Sequence, residues 1–470
     1  MNADTHSADL AFQGIATLGE QLAAGAISSR GLTELYLQRI ALHDPKINSY
    51  ISVLADHALA AAEASDGRRR SGKTLGPLDG IPIALKDNID LSDVPTTAGI
   101  EARRNHIATT DATVTARLKA AGAVILGKLN MHEGAHGATT ANEAYGFCYN
   151  PHREGFTPGG SSGGSGAALA AGLCAGALGS DTLGSIRIPS SFCGSAGIKP
   201  THGAVSTHGV VPLAFALDHV GPMGRCAADL AIMLEVLAAP DARDPVSAMA
   251  PRALHAVDAT PRSLKGLRLG RLPNLDAFAA DTVNPDIAQG YEAALNVLRE
   301  LGATIVDVEL VGYRHNAIRP KAMLMIEADL AVIYAEELEK NPAGFSTIFR
   351  DGVAFGRQQS APKLAAALET IRAVKPIANE LFSKVDALVT PTTPCTAFSF
   401  KEAMPKTLTA FTAFANYAGA PAASVPMGLT RDKLPMGLQI IARPWHDMTA
   451  LRIAGAYERV AQWNLRPAGF

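Results

Sequence analysis

Hydrophobic and polar positions in the first part of the chain follow the periods of both helices and strands. Between residues 18 and 42 apolar side chains recur at helical spacing, with Leu32, Leu35 and Ile40 on roughly one face. Residues 48–53 are typical of a strand and the alanine-rich residues 58–64 of a helix. The charged stretch GRRRSGK, residues 67–73, is predicted to be a surface loop. A helical N-terminal part is therefore expected over about residues 10–75.

From residue 80 onward, short apolar strands alternate with helical segments. IPIALK (81–86) and AVILGKL (123–129) enclose a helical pattern at 113–121, and strands at 267–272 and 304–308 enclose a helix at 287–301. Such alternation predicts an α/β layer architecture with a mainly parallel or mixed sheet. Residues 318–377 are mostly helical and carry the weakest pattern, so a variable cover over a pocket is expected there. No internal repeat is present, and no linker is long enough to require two domains.

Composition narrows the class of protein. Of the 470 residues 47% are hydrophobic and 18% charged, and the formal net charge of −2 comes without a basic block. A large core is therefore possible, whereas the electrostatic surface of a general nucleic-acid binder is missing. The five cysteines are widely spaced and odd in number, which favours reduced thiols. With no signal-peptide pattern and an apolar run at 166–178 too short for a bilayer, a cytoplasmic protein without a membrane span is predicted.

Candidate chemistry concentrates between residues 159 and 199. Residues 159–166 are all Gly or Ser, but the helix-forming residues 167–172 follow at once. A Gly-rich loop entering a helix exposes backbone N–H donors, whereas a flexible linker would not be expected to lead directly into an apolar helix. Ser185 stands 24 residues after Ser161, directly behind Gly184 and before the strand-like IRIP. A serine on such a turn can attack a carbonyl beside N–H groups that stabilise the oxyanion.

The base that would activate such a serine is not evident from the residues alone. No GxSxG motif is present, and His202, His208 and His219 lack a clear carboxylate partner pattern. A lysine can replace histidine if burial lowers its pKa. Lys86 follows the apolar Ile83-Ala84-Leu85, although by itself it would more simply be an ordinary lysine at the end of a strand.

A second chemistry remains open at residues 132–136, which spell HExxH. On a helix, two histidines four residues apart share a face and can bind zinc. Gly134 and Gly137 weaken a helix there, and no third ligand is evident downstream. A zinc hydrolase is therefore retained only as a remote alternative.

The long motifs GGSSGGSGAALAAG and DTLGSIRIPSSFCGSAGIKPT, with the lysine of PIALKDN 75 residues before Ser161, resemble the amidase signature family. The similarity covers nearly the whole chain. It implies a single α/β/α sandwich domain around a large mixed β-sheet, at residues 10–466, with a signature core at about 76–230 and a variable pocket cover at about 315–380. It implies no cofactor and no metal.

The resemblance also implies roles for individual residues. Ser185 matches the nucleophile, Ser161 the bridging serine that is usually held by a cis peptide, and Lys86 the general base. The remaining positions fall into two groups: an oxyanion and substrate-binding group with the backbone N–H of the nucleophile, Thr182, Leu183, Gly184 and Gly160, and a supporting group, Ser162, Asp181 and Arg187. One position departs from the family, because Leu183 stands where glycine is usual; it is expected to narrow or reshape the acyl pocket.

Two functions share this chemistry. The first is a free-standing amidase that cleaves a carboxamide, urea-like or carbamate-like C–N bond. Its predicted partners are a small-molecule amide and, as an option, a second copy of the chain. Neither a nucleic acid nor a membrane is expected to be a partner. The alternative is the glutamine-hydrolysing subunit of a tRNA-dependent amidotransferase. The helical region 318–377 does not resemble that subunit, which favours the free-standing enzyme at this stage.

Overall fold

A computed structural model describes residues 10–250, 254 and 258–470. Its centre is one sheet of eleven strands in the order β1-β3-β2-β4-β6-β5-β10-β11-β9-β7-β8. The strands are β1 (Tyr50–Val53), β2 (Pro82–Lys86), β3 (Val124–Leu129), β4 (Gly176–Asp181), β5 (Ala196–Lys199), β6 (His219–Gly224), β7 (Arg268–Arg271), β8 (Thr304–Asp307), β9 (Ala387–Pro391), β10 (Ala422–Leu429) and β11 (Pro435–Ala442). Pairing is parallel in β2–β3, β2–β4, β7–β8 and β7–β9 and antiparallel elsewhere. The predicted class, an α/β/α sandwich around a mixed sheet, is confirmed.

Helices cover the sheet. They are α1 (Ile15–Ala23), α2 (Ser29–Ile47), α3 (Ala55–Arg70), α4 (Thr113–Ala120), α5 (Gly163–Ala170), α6 (Arg187–Cys193), α7 (Ala227–Leu237), α8 (Leu275–Ala279), α9 (Pro285–Glu300), α10 (His315–Ile333), α11 (Ala335–Lys340), α12 (Thr347–Arg357), α13 (Ala361–Arg372), α14 (Val374–Lys384), α15 (Ala413–Ala418) and α16 (Asp447–Ala461). Every residue of β2 to β6 is buried, as expected for strands covered on both faces. Within the described ranges, no helix is long and apolar enough to cross a membrane.

Three local predictions were wrong, each for a local reason. The single helix expected at 18–42 is two helices, because Gly25 takes the left-handed conformation and Ser28 caps the start of α2. The stretch 67–73 is not all loop: its arginines form the last turn of α3, where basic side chains suit the helix dipole. IRIP is not a strand but opens α6, with Pro189 in the first turn, where proline is tolerated.

The sheet places the candidate residues at the carboxyl ends of two neighbouring inner strands, β2 and β4. The parallel strands β2 and β4 pair Leu85 with Leu178, so their carboxyl ends lie side by side. Lys86 ends β2, and Asp181 ends β4 directly before the turn that carries Ser185. The carboxyl ends of parallel strands are a common location for ligand sites in α/β proteins.

Candidate active site

Lys86 is the last residue of β2, beside the end of β4. Its side chain is fully buried, and its Nζ lies 2.7 Å from Ser161 Oγ and 2.8 Å from Ser180 Oγ. Burial penalises the charged ammonium and lowers the pKa of Lys86 to about 7, although the carboxylates of Asp218 and Asp181 partly oppose this shift. A substantial fraction of the amine is therefore neutral near pH 7 and able to accept a proton.

The loop before α5 carries Ser161 to this lysine. The peptide bond between Gly160 and Ser161 is cis, and Ser161 is fully buried. The next residue, Ser162, donates from its Oγ to the carbonyl of Ser180 at 3.1 Å and from its N–H to the carbonyl of Ser185 at 3.2 Å. Backbone and side-chain bonds of Ser162 therefore hold the two Gly/Ser loops together.

Ser185 lies on the turn between β4 and α6, at the wall of a cavity. Ser185 is 9% exposed, whereas Lys86 and Ser161 are fully buried. Among the described residues, no hydrogen bond joins the hydroxyl groups of Ser185 and Ser161. The structure thus places a bonded Lys86–Ser161 pair next to a serine that a ligand in the cavity can reach.

A buried ion pair fixes the turn. Arg187 donates to both carboxylate oxygens of Asp181, at 3.0 and 2.9 Å, and both side chains are fully buried. Arg187 also donates to the Thr412 carbonyl at 2.8 Å, to Gln439 at 2.7 Å and to Asn416 at 2.6 Å. The Arg187 guanidinium holds the pKa of the Asp181 carboxyl well below its usual range, although burial alone would raise it. Arg187 therefore anchors the Ser185 turn to α15, through Thr412 and Asn416, and to β11, through Gln439.

We expect Asp181→Asn to lower the free energy of unfolding by about 3–5 kcal/mol, because it leaves Arg187 buried and charged without its partner. Urea unfolding followed by circular dichroism measures the change. The matched control is Asp286→Asn, which breaks a pair with the exposed Arg431 and should cost no more than about 1 kcal/mol. An equal, small effect of both substitutions would contradict this account.

The N–H groups of the turn are not equivalent. That of Gly184 donates to Asp181 Oδ1 at 2.7 Å and is thus already occupied. Those of Leu183 and Ser185 have no partner among the described residues. Thr182 lines the cavity and donates from its hydroxyl to Asp218 at 2.6 Å. Gly160 packs against the 138–140 backbone, which leaves no room for a Cβ, and does not reach the cavity wall.

The cavity has a volume of about 240 Å³ and a mostly apolar wall. Leu183 contributes its side chain to this wall, and its carbonyl accepts a hydrogen bond from Thr412 Oγ1 at 2.6 Å. The other lining residues that matter for size and charge are Ile188, Leu213, Arg319, Met323, Ile326 and Lys406. Leu183 and Ser185 therefore line the same cavity.

The HExxH stretch does not form the helix that a zinc site would require. Residues Glu133–Ala135 make a single 3-10 turn, and Gly134 has a left-handed φ of 55°. Burial lowers the pKa of His132 to about 3 and that of His136 to about 4. Within the described residues, no group of three His, Cys, Asp or Glu side chains is placed to hold a metal ion. His136 instead forms part of the cavity wall.

Sequence reasoning missed three residues at this site. Ser180 is the second hydrogen-bond partner of Lys86, and the only signal for it was its position immediately before Asp181. Asp218 accepts from Thr182 and lies 37 positions beyond Asp181, in a loop without a recognisable motif. Arg319 lines the cavity from α10, in the region where only a variable cover was expected.

Comparison with known proteins identifies the family. The model of the Amidase family matches residues 31–451. A glutamyl-tRNA(Gln) amidotransferase subunit of Chloroflexus aggregans is 37% identical, over 95% of this chain and 96% of the relative. The protein of the same name from Symbiobacterium thermophilum is 39% identical, over 96% of this chain and 98% of the relative.

Solved structures agree with the family match. The native peptide amidase from Stenotrophomonas maltophilia superposes with a TM-score of 0.86 at 31% identity, covering 97% of this chain and 98% of its own. A structure described as an unexpected vestigial protein complex that reveals the evolutionary origins of an s-triazine catabolic enzyme gives a TM-score of 0.89 at 34% identity, covering 95% and 98%.

These relatives correct one prediction. The partner set of a small-molecule amide and an optional second copy, with no nucleic acid, is wrong, because the similar proteins are named as a subunit of an enzyme for glutamyl-tRNA(Gln). The suggestion that region 318–377 argues against that subunit fails for the same reason: the matches run through this region over nearly the full length. The chain belongs to the amidase family, the amidase signature enzymes, which act on carbon–nitrogen bonds.

Proposed function

We propose that the chain hydrolyses a carboxamide through an ester formed on Ser185. The observation that carries this proposal is the fully buried Lys86, 2.7 Å from Ser161 Oγ, behind a serine that opens to the cavity. A lysine with a pKa of about 7 can act as a base near neutral pH, so no histidine is required.

The acylation step follows from this arrangement. Ser185 Oγ attacks the amide carbon and gives its proton to Ser161 Oγ, while Ser161 passes its own proton to the neutral Lys86 Nζ. The negative charge that develops on the carbonyl oxygen is met by the N–H groups of Leu183 and Ser185. The C–N bond then breaks, and the proton returns from Lys86 through Ser161 to the leaving nitrogen. Ammonia or an amine departs and the acyl group remains on Ser185.

Deacylation uses the same proton path, with water as the nucleophile and Ser185 Oγ as the leaving group. Water attacks the ester carbon and loses a proton through Ser161 to Lys86, and that proton returns to Ser185 Oγ as the acid leaves. Ser180 supports both steps as a positioning residue, because its Oγ lies 2.8 Å from Lys86 Nζ and also accepts from Asn88 at 3.1 Å. These bonds keep the lysine aligned in either protonation state.

Between the two functions that share this chemistry, we favour the glutamine-hydrolysing subunit of a tRNA-dependent amidotransferase over the free-standing amidase. The support is the similarity at 37–39% identity, with at least 95% of each chain covered, to proteins named as a glutamyl-tRNA(Gln) amidotransferase subunit. In that role the chain releases ammonia from glutamine for use elsewhere in the assembly.

An extract from the source organism tests this role. We expect that removing the chain with an antibody abolishes conversion of glutamyl-tRNA(Gln) to glutaminyl-tRNA(Gln), because the ammonia supply is lost. Adding back the purified wild-type chain restores conversion, whereas Ser185→Ala does not. Ammonium chloride, supplied to the depleted extract together with Ser185→Ala, bypasses the block. Full conversion in the depleted extract would refute the role in the assembly and leave the chemistry at Ser185 to be judged separately.

A further inference from the structure

One face of α10 forms the wall opposite the reactive turn. Arg319, Met323 and Ile326 stand at positions i, i+4 and i+7, and all three line the cavity that also holds Ser185 and Leu183. Side chains at this spacing project from the same side of a helix. Arg319 therefore lines the same cavity, of about 240 Å³, as the serine that we propose as nucleophile.

The permanently charged side chains that line the cavity are all positive. The cavity wall carries two permanent cations, Arg319 and the exposed Lys406, and no aspartate or glutamate among the described residues. Its histidine, His136, is neutral because burial lowers its pKa to about 4. The carboxylate of Glu327, also on α10, lies 3.9 Å from His136 and is not part of the wall. Burial raises the pKa of Glu327, and the positive charge of Arg319 opposes this shift without forming an ion pair or a hydrogen bond with the carboxylate.

Arg319 has no direct internal partner. It is half-buried, and no hydrogen bond or ion pair joins it to another described residue. A guanidinium beside Met323, Ile326 and Leu183 loses hydration without gaining an acceptor, which is unfavourable unless a ligand supplies one. Its planar set of donors matches a carboxylate, which it can bind with two parallel hydrogen bonds.

We propose that Arg319 binds a carboxylate at the far end of the acyl chain, so that the amide cleaved at Ser185 is the ω-amide of a dicarboxylic acid. The inference rests on the proposed acyl-enzyme chemistry and adds the substrate class. Glutamine meets the requirement through its α-carboxylate. Since the cavity wall has no anion, it holds no counter-charge for the α-ammonium, and glutaramate, which is glutamine without its amino group, is accepted at least as well.

Three amides of the same length test the proposal: glutaramate, glutamine, and 5-methylhexanamide, in which a neutral isopropyl group replaces the carboxylate. We expect kcat/KM for glutaramate to exceed that for 5-methylhexanamide by roughly 10- to 100-fold. Arg319→Gln should remove this preference, mainly by raising KM for glutaramate. The kcat/KM of this variant for 5-methylhexanamide should stay within about twofold of the wild-type value. Arg319→Lys should restore part of it, as expected for a single charge without the paired donors.

Arg314→Gln is the matched control, because Arg314 is exposed at the start of the same helix and outside the cavity wall. This variant should have the same kcat/KM as the wild type for all three substrates. Equal use of glutaramate and 5-methylhexanamide by the wild type, or an equal loss for both in Arg319→Gln, would overturn the proposal. A tenfold preference for glutamine over glutaramate would overturn its second part, the missing counter-charge.

A neutral ester separates failure of this inference from failure of the chemistry. p-Nitrophenyl butyrate needs no carboxylate site, so its hydrolysis reports on Ser185 alone. We expect glutarate to inhibit this hydrolysis competitively, and at least tenfold more weakly in Arg319→Gln. Hydrolysis without inhibition by glutarate would refute the carboxylate site and leave the acyl-enzyme intact. Ester hydrolysis that persists unchanged in Ser185→Ala would refute the proposed function itself, and glutarate inhibition would still decide the role of Arg319.

Discussion

Ser185→Ala is expected to lower kcat for amide hydrolysis by about 10⁴- to 10⁶-fold, the range seen when the nucleophile of a serine hydrolase is removed. The melting temperature should stay within about 1 °C, since the Ser185 hydroxyl has no hydrogen bond in the described structure to lose. Ammonia release measured in a coupled assay gives the rate. Mass spectrometry after treatment with a fluorophosphonate gives the labelled residue, and a single adduct on Ser185, absent from the variant, is the expected result.

Ser195→Ala is the control for this experiment. It removes a buried hydroxyl that also has no partner, immediately after α6, and should change neither rate nor labelling. Turnover and an adduct that survive in Ser185→Ala would assign the nucleophile elsewhere. Turnover that survives in the variant without any adduct would instead require the HExxH stretch to be reconsidered as the source of activity.

The second large effect is a loss of activity in acid. The pKa of Lys86 is lowered by burial from its ordinary value to about 7, and only the neutral amine can accept the proton from Ser161. Neutral amine prevails above this pH and ammonium below it. We therefore expect kcat/KM to reach a plateau above about pH 8, to fall roughly 50-fold between pH 7 and pH 5, and to approach a tenfold loss per pH unit below about pH 6.

The pH profile needs controls because other groups titrate nearby. Burial raises the pKa of Asp329 to about 6, whereas those of His132 and His136, at about 3 and 4, lie too low to contribute. Asp329→Asn should keep the acidic limb, and Lys86→Met should abolish activity at every pH. If the loss of activity at acidic pH disappeared in Asp329→Asn, the titrating group would be the Asp329 carboxyl group and not Lys86.

The fold could be predicted from the sequence to the level of layers. Alternating strands and helices at 81–129 and 267–308 predicted a mixed sheet, because buried strands must be apolar on both faces. Local errors arose where short patterns are ambiguous: four residues such as IRIP fit a strand and the first turn of a helix equally well. Tertiary context decided the outcome there, since Arg187 is held by Asp181 and Asn416.

The candidate site was less accessible from residues alone. Lys86 and Ser161 are 75 positions apart, and only the resemblance of long motifs to a known family brought them together before the structure did. No comparable motif marks Ser180 or Asp218, whose importance depends on the pairing of β4 with β6. Arg319 lay in the segment with the weakest periodicity, and only the cavity that α10 shares with the reactive turn shows its relevance.

The reach of Arg187 across the sheet has a consequence for protein synthesis. Its acceptors Asn416 and Gln439 lie 229 and 252 positions further along the chain, so a ribosome must translate beyond residue 439 before this buried cation has all its partners. Nascent or prematurely terminated chains that stop before residue 439 lack at least one of the acceptors that anchor Arg187 behind the Ser185 turn. Such fragments expose unpaired strand edges and are natural targets for chaperones and proteases. The Ser185 turn therefore gains its full set of contacts only after residue 439 has been synthesised.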